Sequence, residues 1–299
     1  MWLILAFLSA ALLGFYDVAK KRALNNNAVL PVLLLNTLFS TLLFAPFIVS
    51  AEAGFDLFQG TIFEVEQLGW QAHSLVILKS AIVLSSWIFG YFALKHLPLT
   101  IVGPINATRP VMVLVGAMLI FGERLNLWQW SGVVLSLVSL FLLSITSRKE
   151  GIHFGRNIWI LLVAAAAVMG AISGLYDKFI MRNLSPIFVQ SWYNFYQLIM
   201  MGIVVSIMWL PRRDRTTPFH WSWAIPCISV LLSCADFAYF FALSNQEAMI
   251  SVVSMIRRSS VVVSFACGAL IFGEKNLRAK AIDLILIIIG MIFLYIGTK

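Results

Sequence analysis

Gly14-Phe15-Tyr16-Asp17 returns as Gly174-Leu175-Tyr176-Asp177, and Gly116-Ala117-Met118-Leu119-Ile120-Phe121-Gly122-Glu123 returns as Gly268-Ala269-Leu270-Ile271-Phe272-Gly273-Glu274. The offset is 160 residues from Gly14 to Gly174 and 151 from Gly122 to Gly273. A chain that repeats itself at such a distance is built of two similar halves. The smaller second offset matches a shorter loop between the seventh and eighth apolar runs. The first motif closes the first apolar run of each half, and the second closes the fourth.

Those runs identify the solvent. Hydrophobic residues make up 61% of the 299 and charged residues 11%, where a soluble domain carries roughly 25% charged. So few charges cannot build a water-facing surface. A hydrocarbon core needs ~20 apolar residues per helix, and runs of that length predict spans at 2–20, 29–50, 72–94, 98–121, 127–146, 157–181, 187–209, 221–243, 248–271 and 279–297. They are helices, because lipid supplies no partner for an open backbone. Barrel strands would alternate over ~10 residues, and none do. The first run reads as a retained span rather than a leader, since Lys20, Lys21 and Arg22 follow it instead of preceding it.

The expected fold is therefore an all-α membrane protein with ten transmembrane helices arranged as two inverted five-helix repeats. Five is an odd number, so the second copy inserts upside down. Secondary transporters use that arrangement to set two gates around one midplane site. The halves are 1–147 and 156–299, joined by the polar stretch 147–156, and together form one transport unit. Small residues such as Ser9, Ala10 and Gly14 in span 1, and Gly170 and Gly174 in span 6, let helix backbones approach closely.

The net charge of +8 suggests nucleic acid only until its distribution is read. Thirteen of the 21 basic residues, among them Lys20, Lys21, Arg148, Lys149, Arg212 and Arg213, flank odd-numbered loops. Four, Arg124, Lys178, Arg182 and Lys299, flank the even side. The positive-inside rule puts the odd loops in the cytoplasm. Both termini then lie outside, with the acidic loop of Glu52, Asp56, Glu64 and Glu66. The expected location is a membrane of the bacterial inner (plasma) type.

Four basic residues fall inside spans: Lys79, Arg109, Arg257 and Arg258. Each is ~14–18 Å deep at helical rise, where a charge costs at least ~2.5–3.5 kcal/mol. Such charges point to a wet cavity. Asp236 is the deep acidic residue, and Asp17, Asp177 and Asp283 lie nearer span ends. The excess is positive, which favours an anion, and arginine forks match carboxylate and phosphate. Arg257 and Arg258 either both border the cavity, or one binds the ligand while the other pairs with Asp236. Internal ion pairing that fixes helix positions is the structural alternative. Asn106, Asn194 and Tyr239 complete the expected binding set, with Asn36, Thr37, Thr108 and Gln190 nearby. Trp192, Tyr193, Trp221 and Trp223, near span ends, read as interfacial belt residues. Tyr16-Asp17 and Tyr176-Asp177 fall on opposite faces and suit paired gates, with Asp236 as a further ion-pair or gating residue.

Enzyme chemistry finds no footing. HExxH, GxxxxGK[ST] and GxSxG are absent, the four histidines are scattered, and no spacing suggests a metal or a cofactor. Cys227, Cys234 and Cys267 read as small packing residues within spans.

The ten spans, the two five-helix halves and the Phe-Gly-Glu endings at Phe121-Gly122-Glu123 and Phe272-Gly273-Glu274 resemble the drug/metabolite transporter superfamily, specifically its EamA-type proteins. The resemblance implies secondary transport of small metabolites through a site between the halves. It also implies cytoplasmic termini, whereas the loop charges here point outward. The adjacent basic pair on the ninth helix is similar to the Lys-Arg pair of plastid phosphate translocators. That likeness implies phosphate or carboxylate contact by Arg257 and Arg258, with arginine replacing lysine at Arg257. The expected activity is export or exchange of a small organic anion by alternating access. An amino acid or other zwitterion is one alternative, and a phosphate-bearing lipid to be flipped is another. An intramembrane enzyme or a scaffold is the remaining class. The expected partners are the anionic metabolite and the bilayer, with the chain a monomer or homodimer and no nucleic acid.

Overall fold

The structure is a computed structural model that describes residues 1–24, 26–55, 57–96, 105–106, 108–145, 158–215, 217–260, 262–263, 267 and 277–297. The linker 147–156 and the second Phe-Gly-Glu ending, Phe272-Gly273-Glu274, lie outside the described residues. Among the described residues ten longer helices follow in order: α1 Trp2–Ala23, α2 Val29–Glu52, α3 Trp70–His96, α4 Arg109–Phe121, α5 Leu127–Ile145, α6 Ile158–Ile180, α7 Pro186–Met208, α8 Ala224–Ser244, α9 Ile250–Arg258 and α10 Leu277–Ile296. A short 3-10 turn, Leu210–Arg215, follows α7. Among the described residues there is no strand. Six helices, α1, α2, α3, α6, α7 and α8, are long and apolar enough to cross a membrane.

Polarity runs inside out. Ile4, Leu119, Leu127, Leu161 and Trp223 are exposed on the bundle surface, while Ser9, Asn36, Lys79, Asp177, Gln190 and Gln197 are buried. In water this would be costly. In lipid the apolar side chains meet their own kind and the polar ones are sheltered by protein. Cys227 and Cys234 correct their sequence reading, because both are exposed on α8 rather than packed.

The halves interlock rather than sit side by side. α1 packs on α8 of the other half, and α3 packs on α6. These two pairings exchange when the halves are exchanged. So do α1 on α9 with α4 on α6, and α2 on α8 with α3 on α7. The pairs α2 with α7, α4 with α9 and α5 with α10 map onto themselves. The repeat in the sequence is thus a repeat in space. Each main cross-pair carries a serine hydroxyl that donates to a backbone carbonyl of the other half: Ser9 to Ala235 at 2.7 Å and Ser86 to Ala166 at 2.9 Å. Glycines allow the approach. A Cβ on Gly132 would lie 2.6 Å from the Gly290 carbonyl oxygen across α5 and α10, and one on Gly14 would strike Val263 and Ser260.

The fourth spans are not the continuous helices expected over 98–121 and 248–271. A tightened turn interrupts each at the same repeat position. The Thr108 amide and hydroxyl both donate to the Ile105 carbonyl, at 3.2 and 2.6 Å. The Ser259 amide and hydroxyl both donate to the Ile256 carbonyl, at 3.0 and 2.6 Å. Bonds of this i to i−3 type are the tighter 3-10 kind. Each turn adjoins a half-buried arginine, Arg109 or Arg258.

Candidate functional site

A cavity of about 340 Å³ lies where the two halves meet, lined from α1, α3, α4, α6, α7, α8 and α9. Its floor is Asp177, Phe240 and Ile250, all at or within about a turn of helix ends on one face of the bundle. Its wall reaches Lys20, at the far end of α1 and on the opposite face. Five cationic side chains (Lys20, Lys79, Arg109, Arg257 and Arg258) and three carboxylates (Asp17, Asp177 and Asp236) line it, leaving two positive charges in excess.

Each cation is held differently. Lys79 Nζ donates to Asp177 Oδ1 at 2.5 Å, and the pair is almost fully buried. The ammonium also sits over the rings of Tyr193 and Phe240, 4.5 and 4.7 Å from their centroids. Arg257 Nη2 donates to Asp236 Oδ1 at 2.5 Å, and its guanidinium lies 4.0 Å from the centre of the Tyr239 ring. The same phenol is within electrostatic reach of Asp177, so Tyr239 stands between the two ion pairs. Arg109 Nη2 donates to the Ala166 carbonyl at 2.9 Å and to Ser86 Oγ at 3.2 Å, while its Nε has no partner among the described residues. Its seat exists because residue 170 is glycine: a Cβ there would lie 2.6 Å from the guanidinium carbon. Arg258 lines the same cavity within electrostatic reach of Asp17, Arg257 and Arg109.

Lys79, Arg109, Arg257, Arg258, Tyr239, Asp17, Asp177, Asp236 and Tyr16 therefore meet at one cavity. Asn194 lines a small separate void beside it, with Asn36, Gln190 and Gln197. Asn106 lines neither; it precedes the Thr108 turn with its Oδ1 buried and without a partner among the described residues. Tyr176 also stays away from the cavity, its hydroxyl donating to the Leu75 carbonyl at 3.1 Å. Tyr193, read from its position as a belt residue, is instead buried against Lys79. Trp221 and Trp223 are exposed, as a belt requires.

The floor is closed from beneath by helix ends. Gly122 terminates α4 in the left-handed conformation, φ 66°, that favours glycine. The chain then turns Glu123 onto the start of α9, where its carboxylate accepts from the Ile250 amide at 2.7 Å, the Ser251 amide at 3.2 Å and the Ser251 hydroxyl at 2.5 Å. An anion at a helix N-terminus meets unpaired N–H groups and the positive end of the dipole. Beside it, Lys178 donates to the last carbonyls of α8, Leu243 at 3.3 Å and Asn245 at 3.2 Å. The Phe-Gly-Glu ending of the first half is thus a cap on the second. Sequence reading found the motif but not its partner, since nothing local to Glu123 points to Ile250.

The sequence model of the EamA-like transporter family matches residues 1–145 and 157–296. A solved crystal structure, described only as that of a protein, superimposes with a TM-score of 0.72 at 16% identity, covering 98% of this chain and 95% of the other. At that identity the likeness shows the fold alone. No curated protein matches the chain.

Proposed function

We propose a cargo for this chain from the premise that it belongs to the EamA-like transporter family. Members of the family are transporters, and this chain is an integral membrane protein of that kind. The cargo is a small organic anion, such as a phosphorylated or carboxylated metabolite. It is bound at the shared cavity and moved by alternating access, as export or exchange. The observation that carries this reading is the surplus of cations: three arginines and two lysines face three carboxylates in a cavity of about 340 Å³. That volume lies at the lower end of small-molecule pockets, ~300–1,000 Å³.

Arg258 and Arg109 are the first contacts for the anion, because Arg109 Nε has no acceptor among the described residues and neither guanidinium shares the Asp236 pair. Arg257 joins when the cargo competes with Asp236. Tyr16-Asp17 at the open end and Tyr176-Asp177 at the closed end serve as the paired gates. The end at Asp17, which is exposed, faces the side of the basic loops, so under the positive-inside rule it opens to the cytoplasm, with both termini outside. A plasma membrane of bacterial type suits this orientation. The chain works as a monomer or a homodimer.

Proteoliposomes holding the purified protein test the cargo directly. Uptake of labelled phosphorylated and carboxylated metabolites is measured against neutral and cationic compounds. Arg258→Ala is expected to abolish uptake of the transported anion while leaving the folded protein in the membrane. Unchanged uptake of every anion by that variant overturns the anion site. A zwitterion as best cargo would shift the reading to the carboxylate of an amino acid.

A further inference from the structure

The connection between α2 and α3 runs over seventeen residues, 53–69, where helices of a bundle are usually joined by ~2–8. A stretch that long with no helix of its own is commonly a functional loop. This one does not stay on the surface. Phe63 bridges α2 and α8: its ring lies parallel to that of Phe47 at 5.1 Å and to that of Phe237 at 5.9 Å, with interplanar angles of 10° and 8°. Phe237 stands seven residues before the end of α8 and Phe47 five before the end of α2, ~10 and ~8 Å along the axes. Val65, two residues on, is buried in the main core. The loop thus dips back into the bundle on the closed face.

Phe237 shares its helix with two residues of the cavity. Asp236 precedes it, and Phe240 of the floor follows about one turn on. Opening the closed face means carrying Phe240 away from Asp177 and Ile250, and the Phe63 ring ties that part of α8 to α2. The rest of the loop is held loosely. A space of about 240 Å³ lies between it and the end of α2, with a single tie beside it from Gln67 Nε2 to the Ala51 carbonyl at 2.5 Å. The corresponding loop of the other half, 209–223, lies on the open face and is arranged differently. Asn27 holds its His220, the side-chain amide donating to the carbonyl at 2.6 Å and its oxygen accepting from the backbone amide at 2.8 Å. Its Trp221 meets Phe39 and Trp223 edge-on. Equivalent loops therefore differ where the two faces differ.

We propose that the α2–α3 loop is a latch on the closed face, with Phe63 as the part that engages. While the ring bridges Phe47 and Phe237 the floor stays shut, and its withdrawal precedes opening. The inference rests on the alternating-access reading above and not on the nature of the cargo. Two aromatic contacts are small beside the packing of whole helices, so the latch biases the gate without barring it. Loop motion is also faster than collective helix movement. Release of the ring therefore sets the balance between the two faces rather than the speed of the exchange.

The test needs no cargo. Cys227→Ala, Cys234→Ala and Cys267→Ala remove the native thiols, and Ser254→Cys places one on the cavity wall. A membrane-impermeant maleimide is applied to sealed vesicles from each face in turn, and the labelling rate is read. Phe63→Ala is expected to speed labelling from the closed face by roughly five- to a hundredfold, the worth of two ring contacts, without speeding it from the open face. If Phe63→Ala fails to fold, Phe63→Leu is read instead, with a rise of at least about twofold in the same direction. Phe55→Ala, at a loop ring that is 64% exposed, is expected to leave both rates unchanged. Arg258→Ala keeps the response to Phe63→Ala, so failure of the anion site and failure of the latch are told apart. A closed-face rate that is the same with and without the Phe63 ring, or a rise from both faces together, overturns the proposal.

Discussion

Two ion pairs of equal length face one cavity and differ in what surrounds them. Lys79–Asp177 and Arg257–Asp236 both measure 2.5 Å. The first has side-chain exposures of 3% and 7%, the second of 20% and 17%. Lys79 is clamped between two aromatic rings and seals the floor. Arg257 rests on one ring and leaves an edge toward the cavity. Closeness is therefore a poor guide to role. A pair cut off from water cannot exchange partners without stranding a charge, whereas a pair at the edge can trade one carboxylate for another. Under the proposed function, the sealed pair goes with the gate and the open pair with the cargo.

The largest effect expected is at the sealed pair. Lys79→Ala strands Asp177 and is expected to cost about 3–5 kcal/mol of stability, read by thermal unfolding in detergent. Lys79→Ala with Asp177→Ala should recover much of it. Arg257→Ala breaks the open pair, where water reaches Asp236, and should cost less, about 1.5–3 kcal/mol, while lowering anion uptake more than Lys79→Met does per folded molecule. Equal costs at the two pairs would break the comparison.

Gly170→Ala pushes into the Arg109 guanidinium and should cost about 1–3 kcal/mol, with anion affinity falling because the arginine is displaced. Glu123→Ala leaves the N–H groups of α9 uncapped. About 0.5–2 kcal/mol is expected from a lost cap, together with faster cysteine labelling at the closed face of a Ser251→Cys reporter. The smallest effect is Tyr239→Phe, which keeps the ring under Arg257 and removes only a buried hydroxyl, about 0.5–1.5 kcal/mol. Because that hydroxyl is within electrostatic reach of both pairs, the variant should make mutations at Lys79 and Arg257 more nearly additive in a double-mutant cycle.

Most of the fold was legible in the residues because lipid imposes a length and a hydropathy on every span. The inverted repeat was legible at Tyr16-Asp17 and Phe121-Gly122-Glu123, where identities survive. It was invisible at Ile105-Asn106-Ala107-Thr108 and Ile256-Arg257-Arg258-Ser259, where only the isoleucine is shared and the equivalence lies in a hydroxyl bond that threonine and serine both make. The cations announced themselves by depth alone. Their partners did not, since Lys79 meets Asp177 across a long chain separation and Arg109 settles on a backbone carbonyl. Tyr193 misled for a physical reason: position along a span gives depth, while the direction around the helix decides between lipid and core.

The interlocked pairing of α1 with α8 also governs how the molecule is made. About 200 residues separate the end of α1 from the start of α8, which at synthesis rates of ~5–20 residues per second is roughly 10–40 s. For that time Ser9 has no Ala235 carbonyl to bond, and the close-packing face around Gly14 has no neighbour. The first helix must wait in the membrane beside a temporary companion, either the insertion machinery or lipid. Biogenesis, more than the finished structure, then sets how much polarity that face can carry.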